Sequence, residues 1–214
     1  MTLLLLIRHG ENEYTRAGKL AGWTPGVHLN EAGQKQAQML AARLGKAPLA
    51  AIYSSPLERA RETAEPLAQA KHLPVHVLSG LGEVSYGQWQ GKSLKALART
   101  KLWQVVQQQP SAMEFPEGET LRAVQARAVD AAEHIAREHP KALVAAFSHG
   151  DVIKVIVAYY SGIALDNFQR IAISPASISV IAIGPFGARI GRLNDTGPFQ
   201  PVPDHPQPAK GKAK

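Results

Sequence analysis

Two histidines of this chain each follow a short apolar run, and the pairing indicates chemistry on an anion. Residues 3–7 lead directly into Arg8 and His9, and residues 143–147 lead, one residue later, to His149. Short apolar runs of this kind, closed by glycine, are typical of buried parallel strands. Ligands bind beyond the carboxyl ends of such strands. We therefore expect His9 and His149 to meet in one pocket although 140 residues separate them.

Arg8, His9 and Gly10 have the residue types that phosphoryl transfer to an imidazole requires. A neutral imidazole is a good nucleophile toward phosphorus, and the planar guanidinium of arginine matches the oxygens of a phosphate. The charge of Arg8 also favours the neutral form of His9, and Gly10 lets the backbone approach a bound anion. Taken alone, this tripeptide also fits an ordinary strand end with a solvent-facing arginine.

Three further segments carry groups that can act on the same phosphate. Residues 54–64 follow a short strand and begin a helix, whose N-terminus attracts anions and whose first turn carries Arg59. Glu83 is flanked by glycine and aromatic residues, so burial can raise its pKa toward that of a general acid. His149 can donate to the phosphate and stabilise charge in the transition state. Each segment alone also fits a structural role, as a basic helix start, a polar turn or a capping histidine.

The composition restricts the class of protein. The 214 residues include no cysteine, which excludes disulfides, cysteine metal sites and thiol catalysis. The histidines lack zinc-like spacing and no carboxylate cluster indicates a magnesium site, so we expect no metal and no cofactor. The net charge is +7 and the pI is near 9.7. Because the basic residues are scattered and not interleaved with aromatics, this charge fits an anion pocket better than a nucleic-acid interface.

The two ends of the chain give further expectations. The N-terminal apolar run is too short for a signal peptide or a membrane span, so we expect a cytoplasmic protein that does not bind membranes. Residues 195–214 are rich in Pro and Lys, and we expect this tail to be disordered because it cannot bury enough apolar surface. Residues 1–194 then form a single catalytic domain. The sequence leaves open whether that domain is a monomer or a homodimer.

Strand-like and helix-like segments alternate, which predicts an α/β fold with helices on both faces of a sheet. The expected strands are residues 3–8, 50–53, 75–77, 143–148, 177–183 and 189–193, and the expected helices are 30–44, 116–138, 151–161 and one that opens at 54–56 with Pro56 in its first turn. Asn30 is the predicted N-cap of a helix that buries Ala37, Leu40, Ala41 and Leu44. Residues 9–29 are expected to be loop. Residues 79–118 lack clean alternation and are expected to be a helical lid or substrate wall.

In this order, the segments resemble the histidine phosphatase superfamily, also called the phosphoglycerate mutase-like family. The resemblance spans about residues 3–194, and the stretches that carry it are 6–11, 29–37, 53–64, 82–91, 116–120 and 148–150. It implies a three-layer α/β/α sandwich with a mostly parallel mixed sheet, and a reaction without a metal.

The resemblance also implies roles for the residues at the matching positions. His9 is implied to be the nucleophile that becomes phosphohistidine. Glu83 is implied to donate a proton to the leaving oxygen and then to activate water. The remainder of the phosphate pocket is implied to be Arg8, Arg59 and His149. The substrate-binding residues are implied to be Asn12, Thr15, Ala21, Gly22, Tyr86 and Gly150.

Two departures from the family pattern bear on the reaction. Ala21 stands where many family members carry glutamine, which makes that wall more apolar. Residues 92–115 lack the adjacent arginine pair that is typical of glycolytic mutases. We therefore predict a metal-independent phosphatase that hydrolyses phosphomonoesters of a small phosphorylated metabolite through His9. The alternative is a phosphomutase of the phosphoglycerate mutase type. A non-catalytic module that binds phosphate or nucleic acid is a third possibility, supported only by the pI and the basic tail.

Overall fold

A mixed six-stranded sheet lies at the centre of the computed structural model, which describes residues 1–197. In chain order the elements are β1 (Thr2–Arg8), α1 (Glu13–Arg16), α2 (Glu31–Leu44), β2 (Leu49–Ser54), α3 (Glu58–Lys71), β3 (Val75–Val77), α4 (Leu94–Leu97), α5 (Lys101–Gln108), α6 (Leu121–Glu138), β4 (Leu143–Ser148), α7 (Gly150–Tyr160), β5 (Ile178–Gly184) and β6 (Gly187–Asp195). Short 3-10 turns occur at Ser79–Leu81, Gly87–Trp89, Pro110–Ala112 and Leu165–Arg170. No helix within this part of the chain is long and apolar enough to cross a membrane.

The strand order is β3-β2-β4-β1-β5-β6. The first four strands are mutually parallel, β5 runs antiparallel to β1, and β6 runs antiparallel to β5. β1 and β4 are neighbours, with Arg8 opposite Ser148. The residues that follow, His9 and His149, therefore leave the sheet side by side, as expected from the two similar strand ends.

Apolar side chains alternate between the two faces of the sheet, as the pleat of a strand requires. Leu4 and Leu6 of β1 pack with the buried residues of α6 and α7. Leu5 and Ile7 pack on the opposite face with those of α2 and α3. These two clusters make the predicted three-layer α/β/α sandwich. Their burial fixes the register of β1 and hence the position of the residue that follows it.

The predicted start of α2 is confirmed. The side-chain oxygen of Asn30 accepts a hydrogen bond from the Gly33 amide at 2.9 Å, which satisfies a free donor of the first turn. The predicted apolar face of this helix is buried at Ala37, Leu40, Ala41 and Leu44.

Four expectations about element boundaries are wrong. The helix expected from residue 116 begins at Leu121, because the Thr120 hydroxyl caps it by accepting from the Ala123 amide at 3.1 Å. Pro56 does not lie in the first turn of α3, because the Ser55 hydroxyl accepts from the Leu57 amide at 3.2 Å and the backbone of Leu57 is still extended. The loop at 9–29 contains α1, which the Asn12 side chain caps. The last strand, expected over residues 189–193, extends to Asp195, whose carboxylate accepts from Arg192 at 2.8 Å. The rest of the expected disordered tail, residues 198–214, lies outside the described residues.

Two glycines allow α2 to approach the loop that carries His9. A Cβ atom on Gly33 would lie 2.1 Å from the carbonyl oxygen of Glu11, and one on Gly10 would lie 2.8 Å from the carbonyl oxygen of Gly33. The Asn30 amide donates to the same Glu11 carbonyl at 3.1 Å. The first turn of α2 thus fixes the backbone that follows β1.

We predict that Gly33→Ala destabilises the protein by about 1–3 kcal/mol, because the new methyl group must displace backbone. Helix propensity alone predicts the opposite sign, a gain of about 1 kcal/mol. Urea unfolding followed by circular dichroism measures the difference, with the exposed neighbour variant Gln34→Ala as the control. A Gly33→Ala protein that is more stable than the original chain would contradict the close contact.

Candidate active site

A cavity of about 410 Å³ opens where β1 and β4 end. The predicted site residues that line it are Arg8, His9, Asn12, Thr15, Ala21, Arg59, Glu83, Tyr86 and Gly150. Two predicted residues, Gly22 and His149, are not among the lining residues. The Gly22 carbonyl accepts from Arg59 at 2.9 Å, and the His149 ring lies 5.1 Å from the His9 ring, measured between centroids. Both therefore adjoin residues that line the cavity.

His9 is held in one tautomer. Its Nδ1 lies 2.7 Å from the carbonyl oxygen of Gly10, and because a carbonyl can only accept, Nδ1 carries the proton. The other ring nitrogen, Nε2, therefore keeps its lone pair. Burial lowers the pKa of His9 well below its ordinary value, and the charges of Arg59 and Arg8 lower it further. The ring is thus neutral near pH 7, as a nitrogen nucleophile must be.

Several buried donors around His9 have no hydrogen-bond partner among residues 1–197. Arg8 donates from Nη1 to the Ile173 carbonyl at 2.6 Å, and Arg59 donates from Nη2 to Gly22. The donor atoms left over are Nε of Arg8, Nε and Nη1 of Arg59, Nδ2 of Asn12 and Nδ1 of His149. A buried donor without a partner costs about 1–3 kcal/mol. A tetrahedral oxyanion in the cavity would remove that cost, because it offers acceptors on all sides.

His149 has its own tautomer partner. Its Nε2 lies 2.8 Å from the Ser55 hydroxyl, which already accepts from the Leu57 amide. The hydroxyl proton of Ser55 is thus available to Nε2, and this pattern assigns the ring proton to Nδ1. Burial lowers the pKa of His149 well below its usual value, followed by the charges of Arg59 and His9. A neutral ring then presents an N–H at Nδ1, which lies 3.8 Å from a Glu83 carboxyl oxygen.

Glu83 has the properties of a general acid. Its residue surface is 9% exposed, and burial raises its pKa to about 7, aided by the charge of Asp151 and opposed by Arg59. One carboxyl oxygen accepts from the Val84 amide at 3.0 Å. At neutral pH a substantial fraction of this carboxyl group is therefore protonated and faces the cavity.

The loop that carries Glu83 is fixed by Arg127 and Trp23, which the sequence analysis missed. Arg127 donates to the carbonyls of Gly80, Gly82 and Glu83 at 2.8–3.0 Å. The Trp23 indole also donates to the Glu83 carbonyl, at 2.6 Å. These contacts join the loop to α6 and to the loop after β1. No local sequence pattern indicates them, because the partners are 44 and 60 residues apart.

Asp151, Lys154 and Gln169 form a polar group at the side of the cavity that the sequence analysis also missed. Asp151 accepts from the Tyr86 hydroxyl at 2.9 Å and from the Lys154 ammonium at 3.0 Å. Burial alone would raise the pKa of Asp151, but Lys154 and Tyr86 outweigh it and hold that pKa below its ordinary value. Lys154 also donates to Gln169 at 3.1 Å. The spacing of Asp151 and Lys154 on one helix face was the available sequence signal.

Comparison with known proteins shows which family carries this chain's sequence pattern. The family model of the histidine phosphatase superfamily (branch 1) matches residues 4–196. The chain belongs to this superfamily. The predicted family and phosphatase activity are therefore confirmed.

The relatives of this histidine phosphatase include enzymes named for a phosphorylated small molecule. Phosphoserine phosphatase 1 of Hydrogenobacter thermophilus is 32% identical over 92% of this chain and 93% of its own length. The metal-independent phosphoserine phosphatase of Arabidopsis thaliana is 35% identical over 73% of this chain and 67% of its own. The solved structure of Bacillus stearothermophilus YhfR is 28% identical and superimposes with a TM-score of 0.86, covering 92% of this chain and 98% of that one. These names agree with the predicted substrate class.

Within residues 1–197, no group of three or more His, Asp and Glu side chains gathers as a metal site. That the reaction proceeds without a metal or cofactor stays a prediction. The roles of individual residues as nucleophile, general acid and phosphate donors are likewise a proposal.

We predict that orthovanadate, a tetrahedral oxyanion, stabilises this histidine phosphatase against heat. A ligand at a hundredfold excess over its Kd adds about 2.7 kcal/mol, which corresponds to a Tm increase of about 5–10 °C for a domain of this size. Arg59→Met removes two of the unpaired donor atoms and is expected to abolish the shift. Differential scanning fluorimetry measures it.

Arg61→Met is the matched control, because Arg61 lies in the same helix and is exposed. It should retain the full vanadate shift. An Arg59→Met protein that responds to vanadate as strongly as Arg61→Met would show that the oxyanion binds elsewhere.

Proposed function

We propose that this histidine phosphatase hydrolyses phosphomonoesters of a small metabolite through a phosphohistidine at His9, without a metal. The observation that carries the proposal is the lone pair of a neutral His9 beside five buried donor atoms that have no partner in the described chain. All of these groups come from one chain, so the proposed site needs no residue from a partner. The proposed active unit is a monomer or a homodimer. The proposed location is the cytoplasm, in keeping with a small-molecule substrate and with no role for nucleic acid or membrane.

The first step transfers the phosphoryl group to the enzyme. His9 attacks phosphorus through Nε2, so that a P–N bond forms while the ester P–O bond breaks. Arg8, Arg59 and Asn12 donate to the phosphoryl oxygens, where negative charge is held in the transition state. The leaving oxygen takes the proton of Glu83, and the alcohol departs neutral.

The second step returns the enzyme to its starting state. Glu83, now a carboxylate, accepts a proton from water as the water oxygen attacks phosphorus. The P–N bond breaks, inorganic phosphate forms, and His9 recovers the Nε2 lone pair, while its Nδ1–H still donates to the Gly10 carbonyl. In both steps His149 donates from Nδ1 to an oxygen of the phosphoryl group. The carboxyl group of Glu83 thus serves as acid and base in turn, for which a pKa near the working pH is favourable.

The phosphomutase alternative differs only in the acceptor of the phosphoryl group. A mutase must hold a second anionic group of its substrate and return the phosphate before water enters. α5 presents Trp103 and Val106 to the cavity, in the segment where glycolytic mutases are expected to carry an arginine pair. α5 contains no arginine, and the lack of such a pair favours hydrolysis over mutase chemistry. A coupled assay for 3- to 2-phosphoglycerate conversion, primed with the bisphosphate, distinguishes the two.

We predict that His9→Ala lowers turnover of p-nitrophenyl phosphate by at least about a thousandfold, because no nucleophile remains. The fold should be unaffected, since His9 follows β1 and belongs to neither apolar cluster of the sheet faces. Acid-labile radioactive phosphate, trapped by rapid quenching of labelled substrate, should appear on the original chain and be absent from His9→Ala. His134→Ala, an exposed position on α6, is the control. Stoichiometric labelling of His9→Ala would assign the nucleophile to another residue.

We predict that Glu83→Gln slows alkyl phosphates by about 10²–10⁴-fold and p-nitrophenyl phosphate much less, because nitrophenolate leaves without a proton. Glu114→Gln, an exposed carboxyl on the same excursion, should leave both rates unchanged. The comparison uses kcat/KM on both substrates, because this ratio reports transfer to His9 and not the later step in which Glu83 acts as a base. Equal losses on the two substrates would remove Glu83 from the general-acid role.

The pH profile gives an independent prediction for Glu83. Its raised pKa of about 7 means that the acid form is lost as pH rises through that value. The kcat/KM of the original enzyme for an alkyl phosphate should therefore fall up to tenfold per pH unit on the alkaline side, and that for p-nitrophenyl phosphate should fall less. Glu83→Gln should lose this alkaline decline. A decline that persists in Glu83→Gln would come from another group.

A further inference from the structure

The cavity continues well beyond the phosphate-binding donors. Its volume of about 410 Å³ lies in the range of about 300–1,000 Å³ that is typical of small-molecule sites, and a phosphate group fills only part of it. The apolar residues that line the remainder are Leu20, Trp89, Leu94, Trp103, Val106 and Phe115. We call these six the apolar wall. They come from the loop after β1 and from the excursion at 79–118.

Ring contacts form a continuous row along this wall. Tyr86, whose hydroxyl bonds Asp151, meets Phe115 edge-on at 5.0 Å between centroids. Phe115 meets Trp89 at 5.4 Å, and Trp89 stacks on Trp103 at 6.2 Å and 26°. The series leads from the neighbourhood of Glu83 to α5. A leaving group protonated by Glu83 would therefore lie along an apolar, aromatic surface.

The cationic side chains that line the cavity differ in what neutralises them. Lys19 is exposed to solvent, Lys154 is paired with Asp151, and Arg8 and Arg59 have no carboxylate partner. A phosphate dianion balances the two arginines. A second anionic group of the substrate would therefore bind through a hydrogen bond that the Lys154 ion pair leaves unused.

Lys154 is placed to take that second anion. Its ammonium has three donors, of which Asp151 and Gln169 accept two, at 3.0 and 3.1 Å. The side chain is 18% exposed, and Phe168 lies beneath it at 5.7 Å from the ring centroid. The third N–H of Lys154 is thus available to a ligand. Asp151 and Gln169 already accept from Lys154. An ammonium group of a substrate would meet a cation here.

We infer that the leaving group is a hydroxy acid with an apolar or aromatic body, whose body lies on the apolar wall and whose carboxylate binds Lys154. The inference rests on the proposed phosphatase function and adds the class of substrate. It predicts that an amino acid such as serine is a poorer alcohol, since the α-ammonium group would lie beside Lys154. Phosphate esters of carboxylated phenols or of apolar hydroxy acids are the compounds that fit.

A matched pair of substrates tests the carboxylate. 4-Carboxyphenyl phosphate and 4-carbamoylphenyl phosphate have the same shape and differ in charge. We expect the acid to be favoured by about tenfold in kcat/KM, which corresponds to about 1.4 kcal/mol. Lys154→Met should make the two about equal. Lys95→Met, an exposed lysine on α4 that does not line the cavity, should keep the preference. The ratio is the readout because Lys154→Met also alters the charge near Glu83, which affects both substrates alike.

A matched pair of variants tests the apolar wall. Val106→Ala shortens a lining side chain, and Val105→Ala makes the same change at the adjacent position on α5, which does not line the cavity. We expect Val106→Ala to lower the preference for cyclohexylmethyl phosphate over ethyl phosphate by about fivefold, and Val105→Ala to leave it unchanged. The two esters have leaving groups of similar basicity, so the comparison isolates contact with the body.

The outcomes separate this inference from the proposed function. No turnover of p-nitrophenyl phosphate by the original enzyme would overturn the proposed function itself. Turnover without a preference for the carboxylate, or a preference that Lys154→Met retains, would overturn the inference alone. So would a higher kcat/KM for phosphoserine than for 4-carboxyphenyl phosphate. If Lys154→Met does not fold, inhibition of the original enzyme decides, and 4-hydroxybenzoate must bind more tightly than 4-hydroxybenzamide.

Discussion

Buried positive charge without a carboxylate partner is the interaction on which this site depends. Arg8 and Arg59 border His9, and both are held by backbone carbonyls, those of Ile173 and Gly22. A carboxylate in either place would satisfy the guanidinium group and occupy the space that an oxyanion needs. Carbonyl acceptors orient the arginines and leave the remaining donors unpaired. These unpaired buried donors destabilise the folded state, and the rest of the fold must offset that cost.

The sheet supplies that stability at the points where it is needed. Leu4, Leu5, Leu6 and Ile7 are fully buried immediately before Arg8. Because their alternation fixes the register of β1 between β4 and β5, the strand delivers His9 to one position. The Asn30 cap and the contact of Gly10 with Gly33 then fix the backbone beyond the strand. The donors can stay unpaired because the backbone that carries them cannot relax to satisfy them.

Burial has opposite effects on the pKa values of the nucleophile, His9, and of the general acid, Glu83. It lowers the pKa of His9, and the arginine charges add to that effect. It raises the pKa of Glu83, where the arginines oppose the shift and Asp151 supports it. Near neutral pH His9 therefore keeps its lone pair, and a substantial fraction of Glu83 carries a proton. This is the combination that attack on phosphorus with a protonated leaving group requires.

The sequence predicts the parts of this arrangement that are local. The strands, the α2 cap at Asn30 and the pairing of His9 with His149 follow from short patterns that propensity and periodicity can read. The glycine and aromatic neighbours of Glu83 predict a general acid, but its place in the site is implied by the family resemblance, because nothing local joins residue 83 to residue 149. The role of Arg127 could not be predicted, since its carbonyl partners at Gly80, Gly82 and Glu83 come close to it only in the folded chain. The start of α3 was misplaced because a single Ser55 hydroxyl contact overrides the preference of Pro56 for a first helical turn.

Asp151 shows how a carboxylate can lie beside an anion site without blocking it. Its charge is taken up by Tyr86 and Lys154, so it neither pairs with the arginines nor competes strongly with a phosphate. It still acts on Glu83 through space and raises the pKa of that group. Lys154, in turn, is held by Asp151 and Gln169 at the side of the cavity. The group that adjusts the general acid therefore also fixes the cation that faces the leaving group, and acid strength and substrate choice are joined in one hydrogen-bonded network.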